Sequence, residues 1–416
     1  MCLVTAGLLV NFYLAILARV LSEAEYGRFV SFVSLILLIS FGGFLPIEQE
    51  MARQIQTGQA GRVVLRSGLA VGAGVAMVAA ILVLGLVPWL MPSLDDGPTM
   101  IALLSLCAVC IAQFVVRGTL IGTGRLPQHG LILLWDAVLR LSLAAIVVAT
   151  VSRPTAGPFA LALVGAIAVA HLPVLAWARR LAQRAPGGPE TARLSLLQTA
   201  RRVGHLITGS ISAQILLNAP PIVVAAAADV SEADLVGRFA ATFTLARLVL
   251  FIAVPLQSAL VPAFTRVAGA GSQRARRVLT ARIGLGTWIV ALLAGALSWW
   301  AGPWAIEIVF GSRYALQGRD VACMVTGAMF YLGLLVAGQA LVGANRHRPV
   351  GVAWSSALLV AVVLVAVIPG LVLRVELGFA IGAATGLCLA LAFLWRPQTG
   401  PVPSAGATLT PKGSHP

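Results

Sequence analysis

The chain has 416 residues, of which 59% are hydrophobic and 10% are charged, and its formal net charge is +15. So few charged residues cannot cover a water-facing surface, which excludes an ordinary soluble globular protein. The apolar runs are about twenty residues long, the length at which an α-helix crosses a hydrocarbon core about 30 Å thick. The composition therefore predicts an all-α polytopic membrane protein.

Hydropathy along the chain predicts twelve membrane spans. They lie near residues 2–20, 29–48, 67–91, 99–117, 131–151, 157–178, 204–226, 239–261, 283–304, 320–342, 349–372 and 376–395. The first span has no basic residue before it, so it lacks the positive region of a secretory signal and we expect it to stay in the membrane. The alternative that the natural start lies upstream stays open. Residues 397–416 are rich in Pro, Gly, Ser and Thr, which predicts a disordered tail.

Three segments of the sequence recur in order, about half a chain apart. SEAEYGRF at 22–29 returns as SEADLVGRF at 231–239, GQAGRVVLR at 58–66 returns loosely as GSQRARRVLTAR at 271–282, and TLIGTGR at 119–125 returns as ALVGANR at 340–346. Such repeats are typical of transporters whose two halves enclose a substrate path. We therefore predict two homologous six-helix lobes around a central cavity, at residues 1–192, including a cytoplasmic linker, and 193–396.

Lys and Arg collect in alternate connections between the spans. Twenty of the 29 basic residues lie there and in the tail: Arg53, Arg62, Arg66, Arg117, Arg125, Arg179, Arg180, Arg184, Arg193, Arg201, Arg202, Arg266, Arg274, Arg276, Arg277, Arg282, Arg346, Arg348, Arg396 and Lys412. Because cytoplasmic loops are enriched in basic residues, we expect these loops and both termini to be cytoplasmic. The charges are spread over many short loops rather than one face, which favours contacts with membrane lipids over nucleic-acid binding.

The sequence offers no motif for a cofactor, a metal or ATP hydrolysis. Its one Lys, Lys412, follows Pro411 in the tail, so the Lys of a Walker A loop is missing. All five cysteines fall within apolar spans, where a free Cys behaves as a small hydrophobic residue. We therefore predict no cofactor and no metal site.

Ionisable residues inside the predicted spans are the first candidates for function, because each is costly to bury without a partner or a watery cavity. Asp136 and Arg140 are four residues apart on the fifth span and share one helix face. Two interpretations stay open. The residues form an internal ion pair, or Arg140 binds an anionic headgroup while Asp136 positions it or carries a coupling proton.

Arg247 lies too deep in the eighth span to reach water easily. We predict that it faces the central cavity, with a helix-packing contact and snorkelling as alternatives. Asn11, Gln214 and Asn218 are predicted to line the same cavity, although interhelical hydrogen bonds would explain such residues equally well. His171 is predicted to be a packing residue, because a protonation role would require an acid nearby.

Four segments carry a resemblance to a known family. RVLSEAEYGRFVSF follows the first span, RGTLIGTGR follows the fourth, LVGRFAATFTLARLVLFIAVPLQSALVPAF surrounds the eighth and IVFGSRYALQGRD precedes the tenth. Their order and spacing resemble the polysaccharide-transporter branch of the multidrug/oligosaccharidyl-lipid/polysaccharide exporter superfamily, which includes O-antigen flippases. Members of that branch usually have fourteen spans, so the twelve predicted here depart from the pattern.

The resemblance implies a flippase of the bacterial cytoplasmic membrane. Such a protein moves a polyprenyl-pyrophosphate-linked oligosaccharide across the membrane by alternating access, for polysaccharide or lipopolysaccharide biosynthesis, and arginines such as Arg140 and Arg247 would offset the phosphate charge. A partner polysaccharide polymerase or ligase is left open. One alternative is an ion-coupled multidrug exporter, which would want an unpaired carboxylate where Asp136 has Arg140 beside it. A membrane glycosyltransferase or polymerase is less favoured, because the outer connections are short and the protein is predicted not to be an enzyme.

Overall fold

The computed structural model describes residues 2–184, 196–248, 250, 273–344 and 346–396, and it contains no strand in those ranges. Its long helices, in chain order, are α1 (Cys2–Val20), α2 (Glu23–Gln56), α3 (Gly61–Leu90), α4 (Gly97–Gly122), α5 (Leu126–Thr150), α6 (Ala156–Arg184), α7 (Leu196–Ala227), α8 (Ala233–Arg247), α9 (Gln273–Val309), α10 (Gly318–Gly343), α11 (His347–Val367) and α12 (Leu371–Trp395).

Within the described ranges, ten helices are long and apolar enough to cross a membrane. The apolar part of α1, Thr5–Val20, is shorter. The second half of the predicted eighth span lies outside the described residues. The predicted linker segment 185–195 and the predicted tail at 397–416 also lie outside them. The all-helical prediction is confirmed, and the protein is a multi-pass integral membrane protein. Helices α2, α7 and α9 extend several residues beyond the predicted spans, because helices continue past the apolar core into the interface.

We call the end of the bundle that is predicted to face outward the outer end. At this end, capping side chains explain where two helices begin. Ser22 precedes α2, and its Oγ accepts a hydrogen bond from the Glu25 backbone N–H at 3.3 Å. Asp96 precedes α4, and its Oδ1 accepts from the Thr99 backbone N–H at 2.6 Å. Each side chain satisfies a backbone donor that the first helical turn leaves free. The opposite end of the bundle is the inner end.

Helix α2 is interrupted near its middle by a π-helical segment, Leu38–Phe44. This segment packs against α7, and a Cβ added at Gly42 would lie 3.0 Å from Ile211 Cδ1. The absence of a side chain at Gly42 therefore allows the two helices to approach closely. Single π-helical turns occur often at functional sites, and here the turn faces the stretch of α7 that carries Gln214.

Two apolar clusters form the core. The first comes mainly from α1 to α6 and contains large buried rings such as Phe29 and Phe114, and it extends into the second half at residues such as Ala240 and Tyr314. The second lies within α7 to α12 and includes Phe243. We call α1–α6 the first lobe and α7–α12 the second lobe.

The repeated glycines of the two halves meet where the lobes touch. Gly27 belongs to the first copy of the GRF motif and Gly237 to the second. A Cβ added to Gly27 would lie 2.8 Å from the Gly237 backbone nitrogen, and one added to Gly237 would collide with the Glu23 carbonyl oxygen. No side chain fits between α2 and α8 at this point. The duplicated motif therefore provides the close contact between the lobes.

We predict that Gly237→Ala destabilises the folded protein, because a methyl group at this position forces the lobes apart. Overpacking of this kind costs about 1–3 kcal/mol. The midpoint of thermal unfolding, followed by size-exclusion chromatography of the detergent-solubilised protein, should fall by several degrees. Gly74→Ala is the matched control, since a Cβ at Gly74 meets nothing within 4 Å. Equal midpoints for the two variants would contradict the close contact.

Candidate functional site

Arg247, Asn218 and Gln214 form one hydrogen-bonded cluster between α7 and α8. Arg247 Nη1 donates to Asn218 Oδ1 at 3.3 Å. Asn218 Nδ2 in turn donates to Gln214 Oε1 at 3.1 Å and to the Gln214 carbonyl oxygen at 3.0 Å. Asn218 is 1% exposed, and its amide is held at both ends. Three of the six residues predicted for the substrate cavity are therefore in contact.

A proline pair follows the cluster in α7. Pro220 and Pro221 sit inside the helix and supply no backbone N–H, so the carbonyl groups one turn earlier lack a helical N–H donor. The Pro221 carbonyl accepts a hydrogen bond from Ser31 Oγ of α2 at 3.3 Å. The proline pair thus joins α7 to α2 beside the cluster.

Arg247 has neutral neighbours rather than a carboxylate. Its guanidinium carbon lies 4.9 Å from the centre of the Phe243 ring, and its charge acts on Tyr26 of α2. In the part of the chain that the structure describes, no carboxylate lies within ion-pair distance of Arg247. The sequence of 249–272, which continues beyond α8, contains no Asp or Glu. Among the residues that the structure describes, the charge of Arg247 is therefore not neutralised by an ion pair.

Asp136 and Arg140 form the internal ion pair that was one of the two sequence interpretations. Arg140 Nη2 donates to Asp136 Oδ2 at 2.6 Å, and Arg140 Nε donates to Asp136 Oδ1 at 3.2 Å. Asp136 is 4% exposed. Two parallel hydrogen bonds between a guanidinium and a carboxylate are a strong, directional arrangement. In this conformation Arg140 has a carboxylate partner, whereas Arg247 has none among the described residues.

Aromatic residues of α1 and α2 lie near both arginines. Arg140 acts electrostatically on Tyr13 of α1, and the Tyr13 ring packs edge-on against Phe29 at a centroid distance of 5.9 Å. Phe29 is one helical turn beyond Tyr26, the neighbour of Arg247. Five of the six predicted residues therefore form two groups, and α1 and α2 place aromatic rings near both.

Asn11 belongs to neither group by hydrogen bonding. Its Nδ2 donates to the Gly7 carbonyl oxygen of its own helix at 2.8 Å. The side chain is partly buried on α1, the helix that packs beside α5. Its predicted role in lining a cavity stays a prediction.

The lobes are also joined at the outer end by arginines that bind backbone oxygens. Arg313, between α9 and α10, donates to the carbonyl oxygens of Ala18 at 2.8 Å and Leu21 at 2.6 Å. Its Nε lies 3.5 Å from Glu23 Oε1. Arg19 reaches back to the carbonyl groups of Ile308 and Val309. These contacts, together with the glycine contact, are the outer seal.

Aromatic rings complete the outer seal. Tyr314 is fully buried, and its ring centre lies 5.2 Å from that of Tyr26. Burial raises the pKa of the Tyr314 hydroxyl above its usual range, although the adjacent Arg313 acts in the opposite direction. The hydroxyl donates to the Leu21 carbonyl oxygen at 3.3 Å. The outer end is therefore closed by packed side chains next to Arg247.

At the inner end, α2 also contacts α7 through polar groups. Glu50 accepts hydrogen bonds from Arg53 and Gln54, with distances of 2.7 and 2.8 Å to its Oε1. Gln54 Nε2 also donates to Thr199 Oγ1 at 3.2 Å, and Arg202 Nη1 lies 3.6 Å from Glu50 Oε1. These inner contacts are hydrogen bonds and ion pairs around Glu50, and the two arginines that take part, Arg53 and Arg202, are exposed.

A buried ion pair near the inner end of the first lobe was not predicted from the sequence. Arg117 was predicted to be a topology-setting basic residue at a cytoplasmic helix end. In the structure Arg117 Nε lies 2.9 Å from Glu48 Oε2, and the two residues are 9% and 5% exposed. The available signal was Glu48 at the end of the second predicted span, since a carboxylate at that depth requires a cationic partner.

Two grooves in the described structure lie in the second lobe, away from the predicted residues. One of about 560 Å³ is bordered by α9, α10 and α12 and lined by Trp299, Arg319 and Thr326 among others. Another of about 300 Å³ lies between α9 and α12 beside Trp395. None of the six residues predicted for the substrate cavity lines either groove.

Comparison with known proteins identifies the fold. No family model matches the chain. The chain is 28% identical over 395 residues to the uncharacterized protein Rv1510 of Mycobacterium tuberculosis (strain ATCC 25618 / H37Rv), over 92% of this chain and 87% of that protein. The structure of the present chain is similar to a solved structure described as the inward-facing conformation of a multidrug resistance MATE family transporter of the MOP superfamily. The TM-score is 0.66, the sequences are 14% identical, and the similarity covers 93% of each chain.

A second solved structure is similar to the same extent. It is the lipid II flippase MurJ in an inward closed conformation, with a TM-score of 0.65, 10% identity and coverage of 94% of this chain and 85% of that chain. The two similarities show that the chain shares the fold of these two proteins.

We predict that Arg117→Met strongly destabilises the protein, because it leaves Glu48 buried without a partner. Breaking a buried ion pair at one side costs about 3–5 kcal/mol, whereas replacing both partners costs much less. The double variant Arg117→Met with Glu48→Gln should therefore recover most of the thermal stability lost in the single variant. Arg62→Met, at an exposed position on α3, is the control. A single variant as stable as that control would contradict the burial of the pair.

Proposed function

We propose that the protein is a flippase that moves a polyprenyl-pyrophosphate-linked oligosaccharide across the bacterial cytoplasmic membrane for polysaccharide biosynthesis. In this proposal both termini are cytoplasmic, the lobes at 1–192 and 193–396 enclose a central cavity, and Arg140, Arg247, Asp136, Asn11, Gln214 and Asn218 line it. A polymerase or ligase that receives the glycan at the outer surface is a candidate partner. The fold of MOP-superfamily transporters supports transport rather than covalent chemistry.

The observation that carries the proposal is that Arg247 has no carboxylate partner among the described residues. An arginine at membrane depth costs about 2.5–3.5 kcal/mol at a helix centre unless a partner offsets it. Asn218 and the Phe243 ring offset only part of this cost. An anionic ligand would supply the remaining compensation, and a cationic ligand would increase the cost.

The chemistry of the Arg247 cluster suits a pyrophosphate joined to a sugar. A guanidinium presents two parallel N–H donors, a geometry that matches phosphate oxygens. Gln214 has an amide group that can hydrogen-bond to sugar hydroxyl groups, and the buried Asn218 holds Arg247 and Gln214 together. The cluster thus combines a cation for the diphosphate with neutral polar groups for the adjoining sugar.

Arg140 would be a second positive charge for the substrate, available only when it is released from Asp136. Its pair with Asp136 neutralises it in the present conformation. A diphosphate that carries two or more negative charges could replace Asp136 as the partner of Arg140 once the substrate enters. This exchange would bring the first lobe into contact with the same headgroup that Arg247 binds.

Alternating access would require the outer seal to open. In the present conformation Arg313, Arg19 and the Tyr26–Tyr314 ring pair hold α2 against the second lobe at the outer end. Opening this end would break backbone hydrogen bonds that water can replace. Arg247 would then be next to the outer solution, from which a bound headgroup could leave.

A second candidate function, cation-coupled export of cationic drugs, is favoured by one observation. Glu376 of α12 is 2% exposed, and its Oε1 has no hydrogen-bond partner among the described residues. The charge of Asp320 on α10 acts on the same carboxyl group. Arg319 Nε lies 3.0 Å from Asp320 Oδ1 and offsets part of this negative charge, and the remaining charge suits a cationic ligand. This carboxyl pair lies near the outer end of the second lobe, apart from the Arg247 cluster.

We predict that Arg247→Gln reduces glycan export about 10- to 150-fold, the loss expected when one charged hydrogen bond worth about 1.5–3 kcal/mol is removed. Arg247→Lys keeps the charge without the planar fork and should retain intermediate activity. Surface glycan and the lipid-linked intermediate held in the membrane are measured in a deletion strain that expresses each variant at matched protein level.

Arg66→Gln, at an exposed position on α3, is the control for loss of a basic residue. Full export by Arg247→Gln would remove the proposed role of this arginine. If deletion of the gene left surface glycan unchanged but increased drug sensitivity, the drug-export function would replace the flippase. In that case Glu376→Gln, rather than Arg247→Gln, should reproduce the deletion.

A further inference from the structure

The sequence that forms the inner end of the second lobe contains many arginines and no acidic residue. Asp and Glu are absent from 191–228, 235–306, 321–375 and 377–416. The acidic residues of this lobe lie in its outer connections or within two helical turns of them. In the first lobe, by contrast, Glu48 and Glu50 bind arginines at the inner end. The inner arginines of the second lobe therefore have no carboxylate of their own lobe to offset them.

A groove opens at this inner end between α9 and α12, and we call it the inner groove. Its volume is about 300 Å³, and the residues that line it include Ala281, Gly284, Ala392 and Trp395. A Cβ added at Gly284 would lie 3.1 Å from Leu391 Cδ1, so the two helices approach closely at the floor of the groove. Ala281, Ala392 and Trp395 are exposed. The groove is therefore open to the membrane, and an acyl chain can lie along its small apolar side chains.

Two arginines pack against aromatic rings at the mouth of the inner groove. The guanidinium carbon of Arg277 lies 5.7 Å from the centre of the Trp395 ring, and that of Arg396 lies 5.7 Å from the centre of the Phe393 ring. Both arginines are exposed. Neither has a carboxylate within ion-pair distance in the described part of the chain. Ring contacts of this kind hold a guanidinium in place without neutralising its charge.

The cations and the apolar floor follow each other in the order of a phospholipid headgroup and its acyl chain. Arg277, Ala281 and Gly284 share one face of α9, at spacings of four and three residues. Seven residues of helix separate Arg277 from Gly284, which is about 10 Å along the axis. Trp395 is a residue type that collects at the membrane interface, beside lipid headgroups. The positive charges therefore lie at headgroup level, and the groove continues toward the membrane core.

The chemistry of the mouth favours an anionic headgroup. Guanidinium groups donate parallel N–H bonds to phosphate oxygens. A zwitterionic lipid also carries an ammonium group, which the arginines would repel, whereas an anionic lipid does not. The larger groove of this lobe, of about 560 Å³, lacks the arrangement, because its arginine, Arg319, is paired with Asp320. Only the inner of these two grooves therefore combines an apolar floor with cations that no described carboxylate offsets.

We propose that the inner groove binds one anionic phospholipid of the inner leaflet, with its phosphate at Arg277 and Arg396 and an acyl chain along Gly284. Basic pockets between membrane helices on the cytoplasmic side bind anionic headgroups, and the inner end is the side predicted to be cytoplasmic. The bound lipid connects the inner ends of α9 and α12. This site is independent of the transported substrate, because it lies on the lipid-facing side of the second lobe and shares no residue with the Arg247 cluster.

Native mass spectrometry of the purified full-length protein, titrated with phosphatidylglycerol or phosphatidylcholine, tests the charge of the site. We expect the wild type to bind its first phosphatidylglycerol at least tenfold more tightly than phosphatidylcholine. Arg277→Gln should weaken phosphatidylglycerol binding about fivefold, and Arg277→Gln with Arg396→Gln about 25-fold, the effect of one and of two arginines at a membrane surface. Arg62→Gln removes an exposed arginine at the inner end of the first lobe and should match the wild type.

A second pair of variants tests the groove without changing any charge. Ala281→Trp places a ring where the acyl chain would lie, and we expect it to weaken phosphatidylglycerol binding at least tenfold. Leu359→Trp adds the same ring at a position on α11 that is 64% exposed, and it should bind phosphatidylglycerol as the wild type does. The melting temperature of each variant without added lipid confirms that it is folded. If Ala281→Trp does not fold, Ala392→Phe fills the same groove from α12.

Three results would overturn the proposal. One is wild-type binding of phosphatidylglycerol by the double arginine variant. Another is wild-type binding by Ala281→Trp, which would show that surface charge alone attracts the lipid. The third is tighter binding of a polyprenyl phosphate that is itself lost in Ala281→Trp, since the groove would then hold the tail of a transported lipid. Arg247→Gln should bind phosphatidylglycerol normally, so the lipid site and the flippase function fail separately.

Discussion

The cost of placing a charge at membrane depth organises the polar residues of this protein. Arg140 and Arg117 meet that cost with buried carboxylates, at 2.6 and 2.9 Å respectively. Arg247 instead rests on the amide of Asn218 and the face of Phe243. The bilayer permits such an arrangement only where a cavity, water or a ligand completes it. Among the described residues, two of the three arginines therefore have a carboxylate partner and Arg247 has none.

Helix α2 connects most of the features that bear on function. Its outer part carries Gly27 and Tyr26, which contact the second lobe beside Arg247. Its π-helical middle faces α7 near Gln214, and its inner part supplies Glu50 to a polar contact with the same helix. A movement of α2 relative to the second lobe would therefore change both ends of the bundle and the surroundings of Arg247 together.

The two halves share a motif but have diverged in its use. In the first half, Arg28 bonds to Glu25 and to Asp96, so the motif ties α2 to the α3–α4 connection. In the second half, Arg238 has no carboxylate partner among the described residues. The glycine of the motif keeps its role in both copies, because close approach of two backbones requires the same missing side chain on each side. The arginine does not, because its partners lie outside the repeat.

The sequence determined that the protein is an all-helical membrane protein and that it is internally duplicated, because hydropathy and repeats are properties of consecutive residues. It also placed Asp136 beside Arg140, since helical spacing alone brings residues four apart onto one face. Contacts between distant segments were decided by the tertiary structure. The pairing of Arg117 with Glu48, the approach of Gly27 to Gly237 and the bond from Arg247 to Asn218 depend on how helices pack. Packing follows from the shape of whole helix surfaces, which no single stretch of sequence encodes.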